Sequence, residues 1–208
     1  MSATVIAIDG PAGSGKSTVA RAVASALSWI YLDTGSMYRA VTVAARRHGL
    51  DITNESAMGD FAETVALQLG DRVLVNGDDV TSELRTDQTN HDVSVVATLA
   101  RVRHAMVAQQ RAFAHDANTG VVVEGRDITT VVFPDAVVKI FLTASLEERA
   151  RRRGDEGGES VARRDQVDMS RAVSPLTQAS DARIIDTTGR SIDDVVQEIL
   201  TCLASNSN

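Results

Sequence analysis

The stretch Gly10-Pro-Ala-Gly-Ser-Gly15-Lys16-Ser17 decides the fold, because it fits the phosphate-binding pattern G-x-x-x-x-G-K-[ST]. The apolar, β-branched run 4–9 precedes it and predicts a buried strand, and residues 18–27 follow it with the apolar stripe of a helix. Glycines let backbone N–H groups turn toward phosphate oxygens, and a helix N-terminus favours an anion at the same place. We therefore predict a phosphate loop here; a glycine-rich turn that matches by chance is the alternative.

The residue types in this loop indicate distinct roles. Lys16 is expected to reach the β- and γ-phosphates of a nucleotide, and the Ser17 hydroxyl to bind Mg²⁺. Lys16 and Lys139 are the only lysines among 21 lysine and arginine residues, which suggests a need for a compact point charge at position 16. The predicted nucleotide-binding residues are Gly10, Pro11, Ala12, Gly13, Ser14, Gly15, Lys16, Ser17 and Thr18.

The composition of the chain excludes several classes of protein. A net charge of −7 over 208 residues argues against a general basic field for nucleic acid. Cys202 is the only cysteine, which is typical of a reducing cytosol. No apolar run approaches the ~18 residues that span a bilayer, and the first strand begins too early for a signal peptide. We expect one cytoplasmic domain over residues 1–208 that binds neither nucleic acid nor membranes.

Short continuous apolar runs alternate with helical segments, which predicts an α/β fold with a doubly wound, five-stranded parallel sheet. Continuous rather than alternating runs indicate strands that are covered on both faces. The predicted strands are Val5–Ile8, Trp29–Leu32, Val121–Glu124, Val137–Thr143 and Arg183–Asp186. The predicted helices are Ser36–Arg47, roughly Asp92–His115, Leu146–Arg153 and Ser191–Leu203.

Two segments interrupt this alternation. Residues 50–90 contain a predicted short helix, Ala57–Leu69, and then Asn76-Gly77 between short apolar runs, which is a strong hairpin pattern. We interpret 50–90 as a small inserted subdomain. Residues 154–160 contain no apolar side chain and lie between arginine clusters, so 151–166 is predicted to be a short arginine-rich lid over a phosphate site.

Polar residues follow two of the predicted strands, at the sheet edge where the phosphate loop lies. After the second strand, Asp33 is placed within reach of the Mg²⁺ shell, through water, and Thr34, Ser36 and Arg39 are placed to hold an anion; ordinary helix capping is the alternative. After the third strand, an Arg126-Asp127 pair suits a phosphate and a base edge, and a structural ion pair is the alternative.

An arginine-rich set suits phosphoryl transfer, in which positioning and charge neutralisation supply most of the catalysis. We expect about half of these arginines to be plain solvated surface, since a charge run on a helix is usually exposed. Asp168 and Arg171 form either a helix-end ion pair or a ribose contact beside the phosphates, and spacing alone does not separate the two. The set is Arg101, Arg103, Arg149, Arg152, Arg153, Arg163, Arg164 and Arg171.

Together these residues resemble the bacterial cytidylate kinases, a family of nucleoside monophosphate kinases. The resemblance covers nearly the whole chain in order, and its most specific pieces are Gly-Arg-Asp and Val-Val-Phe-Pro. The matching stretches are Ile8–Ser17, Leu32–Arg39, Gly77–Arg85, Val123–Ile128, Val131–Asp135, Val138–Leu142 and Ser170–Pro175.

The resemblance implies transfer of the γ-phosphoryl group of ATP to CMP or dCMP, with Mg²⁺, by a monomer. It implies catalytic roles for Lys16, Arg126, Arg164 and Arg171, and an ATP contact from Arg152. It implies base reading by Ser94, Arg103 and Asp127, and phosphate binding by Arg39 and Arg126. The full set implied for the acceptor is Thr34, Tyr38, Arg39, Ser94, Arg103, Gly125, Arg126, Asp127, Arg164, Asp168 and Arg171.

Two departures from the family pattern qualify these expectations. Thr129 stands where the family usually has glycine, and it would be strained if that position needed a positive φ. The lid, with residues 154–163 between its arginines, is shorter than the usual helical lid. Another small-molecule P-loop kinase is the second hypothesis, and a non-catalytic nucleotide-dependent switch is the third.

Overall fold

A computed structural model of the protein describes residues 3–154, 166, 169 and 175–206. The chain divides into two compact units. The first comprises the chain up to Asp33 and from Phe113 onward, and the second comprises Thr34–Ala112. The predicted insertion at 50–90 lies within the second unit, and its role as a subdomain stays a prediction.

The first unit is built on a five-stranded parallel sheet, so the predicted α/β fold class is confirmed. The sheet has the strand order β2-β6-β1-β7-β8, with the phosphate-loop strand β1 in the centre. Each predicted strand is present to within one residue at either end. The strands are β1 Val5–Asp9, β2 Ile30–Asp33, β6 Val121–Gly125, β7 Val138–Thr143 and β8 Arg183–Asp186.

Strands β1 and β6 are buried along their entire length, as their continuous apolar sequences predict. One face of the sheet packs against α1 (Lys16–Leu27) and the C-terminal helix α7 (Ile192–Asn206) through a single apolar cluster. Ala7 and Val123 point to the other face and are also fully buried. At the sheet edge, β8 departs from the prediction because only Ile185 of its four residues is buried.

Helix α6, Leu146–Arg153, has the predicted bounds and begins where the Ser145 hydroxyl accepts a hydrogen bond from the Glu148 N–H at 3.2 Å. This contact is the N-cap that a serine three residues before a glutamate predicts. The C-terminal helix begins one residue later than predicted and extends three residues further.

The second unit is mainly helical, and two of its helices differ from the prediction. The predicted helix 92–115 begins earlier, at Asp87, and is interrupted at residues 97–99. Side chains bind two carbonyl oxygens at this interruption: Thr98 Oγ1 donates to Val95 O at 2.7 Å and Arg103 Nη1 donates to Ala97 O at 3.1 Å. The predicted helix 57–69 ends at Thr64, since Leu67–Gln68 pairs as a strand instead. The helices are α2 Thr34–Arg47, α3 Glu55–Thr64, α4 Asp87–Val96 and α5 Ala100–His115, which continues into the first unit.

A three-stranded antiparallel sheet contains the predicted Asn-Gly hairpin. Asn76 and Gly77 have φ values of 51° and 92°, the double positive φ that a tight two-residue hairpin turn requires. The Asn76 side chain also accepts from the Ala66 N–H at 2.9 Å, which ties the third strand to the turn. The strands are β3 Leu67–Gln68, β4 Leu74–Val75 and β5 Asp78–Asp79.

A charged network joins α2, the turn at Thr81–Glu83 and α4. Arg46 binds Glu83 at 3.2 Å and Asp92 at 3.5 Å, and Arg47 also binds Glu83. Burial raises the pKa of Asp92, but hydrogen bonds from Gln88 and His91 and the charge of Arg46 bring it below its ordinary value. This network fixes α4, which carries Ser94, against α2, which carries Arg39. None of the helices in the described ranges contains an apolar stretch of the length that spans a bilayer.

Gly120, just before β6, lies in contact with the indole of Trp29. A Cβ at position 120 would approach Trp29 Cδ2 to 2.2 Å, so Gly120→Ala should overpack this contact and lower the free energy of unfolding by about 1–3 kcal/mol. Thermal melting followed by circular dichroism measures the change. Gly70→Ala is the matched control, since its nearest neighbour would lie at 3.9 Å. Equal melting temperatures for the two variants would contradict the packing argument.

Candidate active site

The loop between β1 and α1 has a backbone that only glycine tolerates at two points. Gly10 has a φ of 151°, and a Cβ there would lie 2.1 Å from the carbonyl oxygen of Leu142. Gly13 has a φ of 77°, and a Cβ there would lie 2.7 Å from the carbonyl oxygen of Arg149. The loop is therefore pressed closely against the end of β7 and the middle of α6, which explains the glycine spacing physically.

Side chains from three other segments bind the carbonyl oxygens of this loop. Arg126 Nη1 donates to Gly10 O. Arg149 Nη1 donates to Ala12 O at 3.1 Å, and the Thr187 hydroxyl lies 3.1 Å from Ser14 O. Because these carbonyls are engaged by the protein, their peptide units are held in one orientation, which is a condition for a loop that presents N–H groups to an anion.

Helix α1 begins directly behind the loop and has an uncompensated positive end. Its N-cap is Gly15, no side chain caps the first turn, and the first turn contains no acidic residue. Lys16 adds a positive charge in that turn, and its Nζ donates to Pro11 O at 2.8 Å, so the side chain lies over the loop. The helix dipole, Lys16 and the loop together form an anion site of the kind that binds phosphate.

Arg152 of α6 lies against the same loop. A Cβ on Gly15 would be 3.3 Å from Arg152 Nη1, so the guanidinium covers that glycine. Arg152 donates to the hydroxyl and the carbonyl oxygen of Thr187, both at 2.8 Å, and to Glu148 at 2.8 Å. Three acceptors thus fix the position of this guanidinium beside the predicted phosphate site.

A second segment of the site contains Gly125, the last residue of β6, and the two residues after it, Arg126 and Asp127. Gly125 and Asp127 are buried, and the next residues, Ile128–Val132, form one π-helical turn in which Val132 N donates to Asp127 O at 3.1 Å. Such turns are rare and occur frequently at functional sites.

Thr129 lies in this turn without the strain that a positive φ would impose, since no residue between 126 and 133 has one. Instead, Thr129 is 1% exposed, and both its N–H and its hydroxyl donate to Asp9 Oδ2 at 2.7 Å. The Ile128 N–H donates to Asp9 Oδ1 at 2.9 Å. Burial raises the pKa of the Asp9 carboxyl, and these hydrogen bonds from Thr129 and Ile128 oppose the rise.

The carboxyl ends of β2 and β6 place Asp33 beside Glu124 in register. Tyr31 donates its hydroxyl proton to Glu124 at 2.6 Å, and burial together with the charge of Glu124 raises the pKa of that hydroxyl. The described residues contain no group of three or more histidine, cysteine or acidic side chains arranged to hold a metal. The Ser17 hydroxyl and the Asp33 carboxylate are hard oxygen donors of the type that Mg²⁺ takes, in small number, alongside phosphates and water.

The second unit contains the other predicted acceptor-side residues that the structure describes. Arg103 is 3% exposed, and its guanidinium carbon lies 5.6 Å from the centre of the Tyr38 ring, so the structure brings these two together. Arg39 Nη1 donates to Gly35 O at 3.1 Å, and the Ser94 hydroxyl donates to Asn90 O at 3.2 Å. Thr34 is the first residue of α2 and is buried.

Three predicted site residues, Arg164, Asp168 and Arg171, lie outside the described residues, as does most of the predicted lid at 151–166. Asp9 and Thr187 lie at the site and are absent from the sequence-based prediction, and Arg149 is predicted only as one member of the set of eight arginines. Asp9 is the last residue of β1, and Thr187 directly follows β8. Both therefore lie at the carboxyl edge of the sheet, and a search of the sequence for polar residues at strand ends would have identified them. Arg149 was not distinguishable from its neighbouring arginines, because its role depends on a contact across the fold.

Glu148 gives the site a testable pH dependence. Hydrogen bonds from Arg151 and Arg152 hold the pKa of Glu148 at about 2, below its ordinary 4.5, so its ion pairs stabilise the folded state fully above pH 4.5 and lose that effect as the pH falls toward 2. We expect Glu148→Gln to lower the melting temperature at pH 7, and the difference from the wild type to narrow below pH 4.5.

Glu147→Gln is the control for this experiment, because Glu147 occupies the same first turn of α6 and interacts with the same helix dipole. It should lower the melting temperature less than Glu148→Gln at pH 7. A Glu148→Gln difference that stays constant from pH 7 to pH 3 would contradict the assignment of the ion pairs.

Comparison with known proteins agrees with this geometry. The sequence model of the family described as cytidylate kinase matches residues 6–205. A cytidylate kinase of Bacillus pumilus is 48% identical, with 94% of this chain and 93% of that protein covered, and one of Shouchella clausii is 46% identical, with 97% and 96% covered. The solved structure of TT1252 from Thermus thermophilus covers both chains fully with a TM-score of 0.54, and at 18% identity it shows the fold alone. Since the family match extends over nearly the whole chain and these relatives share almost half of its residues, the chain belongs to the cytidylate kinase family.

Proposed function

We propose that this protein transfers the γ-phosphoryl group of ATP to CMP or dCMP, giving ADP and CDP or dCDP. The observation that carries the proposal is the near-complete match to cytidylate kinases in a chain whose glycine loop has the geometry of a phosphate site. The enzyme is a phosphotransferase with small-molecule substrates. We also propose that it acts as a monomer in the cytoplasm.

On the donor side, the loop from Gly10 to Thr18 would bind the triphosphate of ATP. The backbone N–H groups and the α1 dipole would meet phosphate oxygens, and Lys16 would move from Pro11 O to the β- and γ-phosphates, since its ammonium is a mobile point charge. Arg152, held beside Gly15, would contribute a second cation to the ATP phosphates. Fixed positive groups of this kind stabilise a transition state in which charge spreads over the transferring oxygens.

Ser17 and Asp33 are the residues that would hold Mg²⁺, Ser17 directly and Asp33 through water. The chemistry of these donors fits the ion, since Mg²⁺ takes oxygen ligands and retains several waters. Bound there with ATP, Mg²⁺ would neutralise charge on the phosphates.

On the acceptor side, Arg39 and Arg126 would bind the phosphate of CMP. Each guanidinium has five N–H donors, and one of those of Arg126 already binds Gly10 O. A guanidinium can also make a bidentate contact with a phosphate. Arg126 would thereby connect the acceptor phosphate to the loop that holds the donor.

Asp127, Arg103 and Ser94 would read the base. The Asp127 carboxylate can accept from the C4 amino group of cytosine, and Arg103 can donate to O2 and N3. Uracil has a carbonyl at C4 and a proton on N3. Its C4 oxygen would therefore face the Asp127 carboxylate, and its N3–H would face the N–H groups of Arg103. Asp127 and Arg103 are 5% and 3% exposed, and an unsatisfied group in such a setting costs on the order of 1–3 kcal/mol.

The remaining roles follow the family pattern. Arg164 and Asp168 would contact the sugar, and Arg171 would help neutralise the transferring phosphates together with Lys16, Arg126 and Arg164. Thr34, Tyr38 and Gly125 would also contact the acceptor, and Tyr38 packs against Arg103.

A coupled assay of ADP release with ATP and Mg²⁺ tests the proposed reaction. We expect turnover with CMP and dCMP and little with UMP, AMP or shikimate. Lys16→Ala should reduce kcat at least 100-fold, because the transition state loses its fixed ammonium. Lys139→Ala is the control, since Lys139 lies near the amino end of β7, away from the loop. Turnover with shikimate alone would instead support another P-loop kinase, and ATP binding without any turnover would support a switch.

Thr187→Val tests the contacts that orient the phosphate loop. Loss of the hydroxyl removes the bond from Arg152 and the bond that the hydroxyl itself donates, for which Ser14 O and Thr143 O both lie at 3.1 Å. At about 0.5–1.5 kcal/mol each, the two bonds amount to about 1–3 kcal/mol, so the KM for ATP should rise about fivefold or more. The KM for CMP should change less than twofold. Thr187→Ser keeps the hydroxyl and should behave as the wild type. An unchanged KM for ATP in Thr187→Val would remove Thr187 from the site.

A further inference from the structure

The buried carboxylate of Asp9 connects two parts of the site. Asp9 is the last residue of β1 and directly precedes Gly10 of the phosphate loop. Its side chain is 0% exposed and accepts three hydrogen bonds, all from Ile128 and Thr129 in the π-helical turn after Asp127. A carboxylate buried this deeply requires such donors, because desolvation alone would strongly disfavour its charge.

Arg126 makes a second connection between the same two segments, from its guanidinium to Gly10 O. The stretch 126–129 is therefore attached to the start of the phosphate loop at two adjacent points, one through the side chain of Arg126 and one through the side chain of Asp9. Asp127 lies between these attachments, and its carbonyl oxygen accepts from the N–H groups of Val131 and Val132 at 2.9 and 3.1 Å. The backbone of Asp127 is thus fixed from both sides.

The Thr129 hydroxyl is a contact that a glycine at this position would not provide. The Thr129 N–H and hydroxyl both donate to the same oxygen, Asp9 Oδ2, so a residue without the hydroxyl would retain only one of the two bonds. Thr129 is 1% exposed, so water does not compete with Asp9 for this hydroxyl. Its bond therefore limits rotation of the Asp9 carboxylate and, through that carboxylate, displacement of the turn.

We propose that Thr129 is a positioning residue that holds Asp127 in place through Asp9 and thereby increases the discrimination of cytosine from uracil. The proposal rests on the proposed function, in which Asp127 reads the amino group of cytosine. A carboxylate that reads a single amino group discriminates well only if it cannot shift to suit a carbonyl. The hydroxyl of Thr129 touches no substrate in this account.

The test compares Thr129→Val and Thr129→Ser with the wild type, using the ratio of kcat/KM for CMP to kcat/KM for UMP. Thr129→Val keeps the shape of the side chain but loses the hydroxyl, and we expect the ratio to fall about three- to tenfold. Thr129→Ser keeps the hydroxyl, and its ratio should stay within twofold of the wild type. The ratio is the informative quantity, because a loss of folded enzyme lowers both values of kcat/KM equally.

Thr129→Gly provides a second route if the valine variant does not fold, because it removes the hydroxyl without placing a methyl group against the Asp9 carboxylate. Its ratio should also fall. A ratio unchanged in whichever of the valine and glycine variants folds would overturn the proposal, as would an equal fall in the serine variant. A wild-type protein without CMP turnover would instead refute the proposed function, so the two failures are distinguishable.

Discussion

A loop of backbone can bind a polyanion only if its peptide units are held with their N–H groups toward the anion, and this orientation is the constraint on which the rest of the structure depends. In this protein the constraint is met by side chains that bind loop carbonyls from three separate segments of the first unit. They are Arg126 on Gly10 O, Arg149 on Ala12 O and Thr187 on Ser14 O. The sheet brings these segments to one edge because its strands are parallel and their carboxyl ends meet there.

The buried Asp9 carboxylate opposes folding through its lost hydration, but it also holds the turn after Asp127 in a fixed position. A charge with no exposed surface destabilises the folded state unless donors surround it, and here two consecutive backbone N–H groups and one hydroxyl do so. The π-helical turn makes this possible, because it directs the N–H groups of Ile128 and Thr129 toward β1. The result is a short, rigid connection from the phosphate loop to the Arg126-Asp127 pair.

The second unit contains a buried cation, which is likewise held in place by the groups that surround it. Arg103 is almost completely buried, and it is held there by the carbonyl oxygen of Ala97 and the face of Tyr38. The helix break at residues 97–99 supplies that carbonyl, so the break and the arginine depend on each other. A guanidinium with little access to water distinguishes acceptors from donors more strongly than an exposed one, which suits the base-reading role proposed for it.

The α/β class, the strand positions, the phosphate loop, the Asn-Gly hairpin and the family could all be predicted from the sequence, because each depends on local patterns: the glycines at positions 10 and 13, the apolar runs, and Asn76-Gly77. The contacts of Arg149, Thr187 and Thr129 and the helix break before Arg103 are visible only in the tertiary structure. Each of those depends on a partner distant in the sequence or on which carbonyl a side chain reaches, such as Thr187 on Ser14, and residue spacing carries no information about such contacts. For the same reason Thr129, which local φ preferences could present only as a source of strain, became interpretable only once its contact with Asp9 was known.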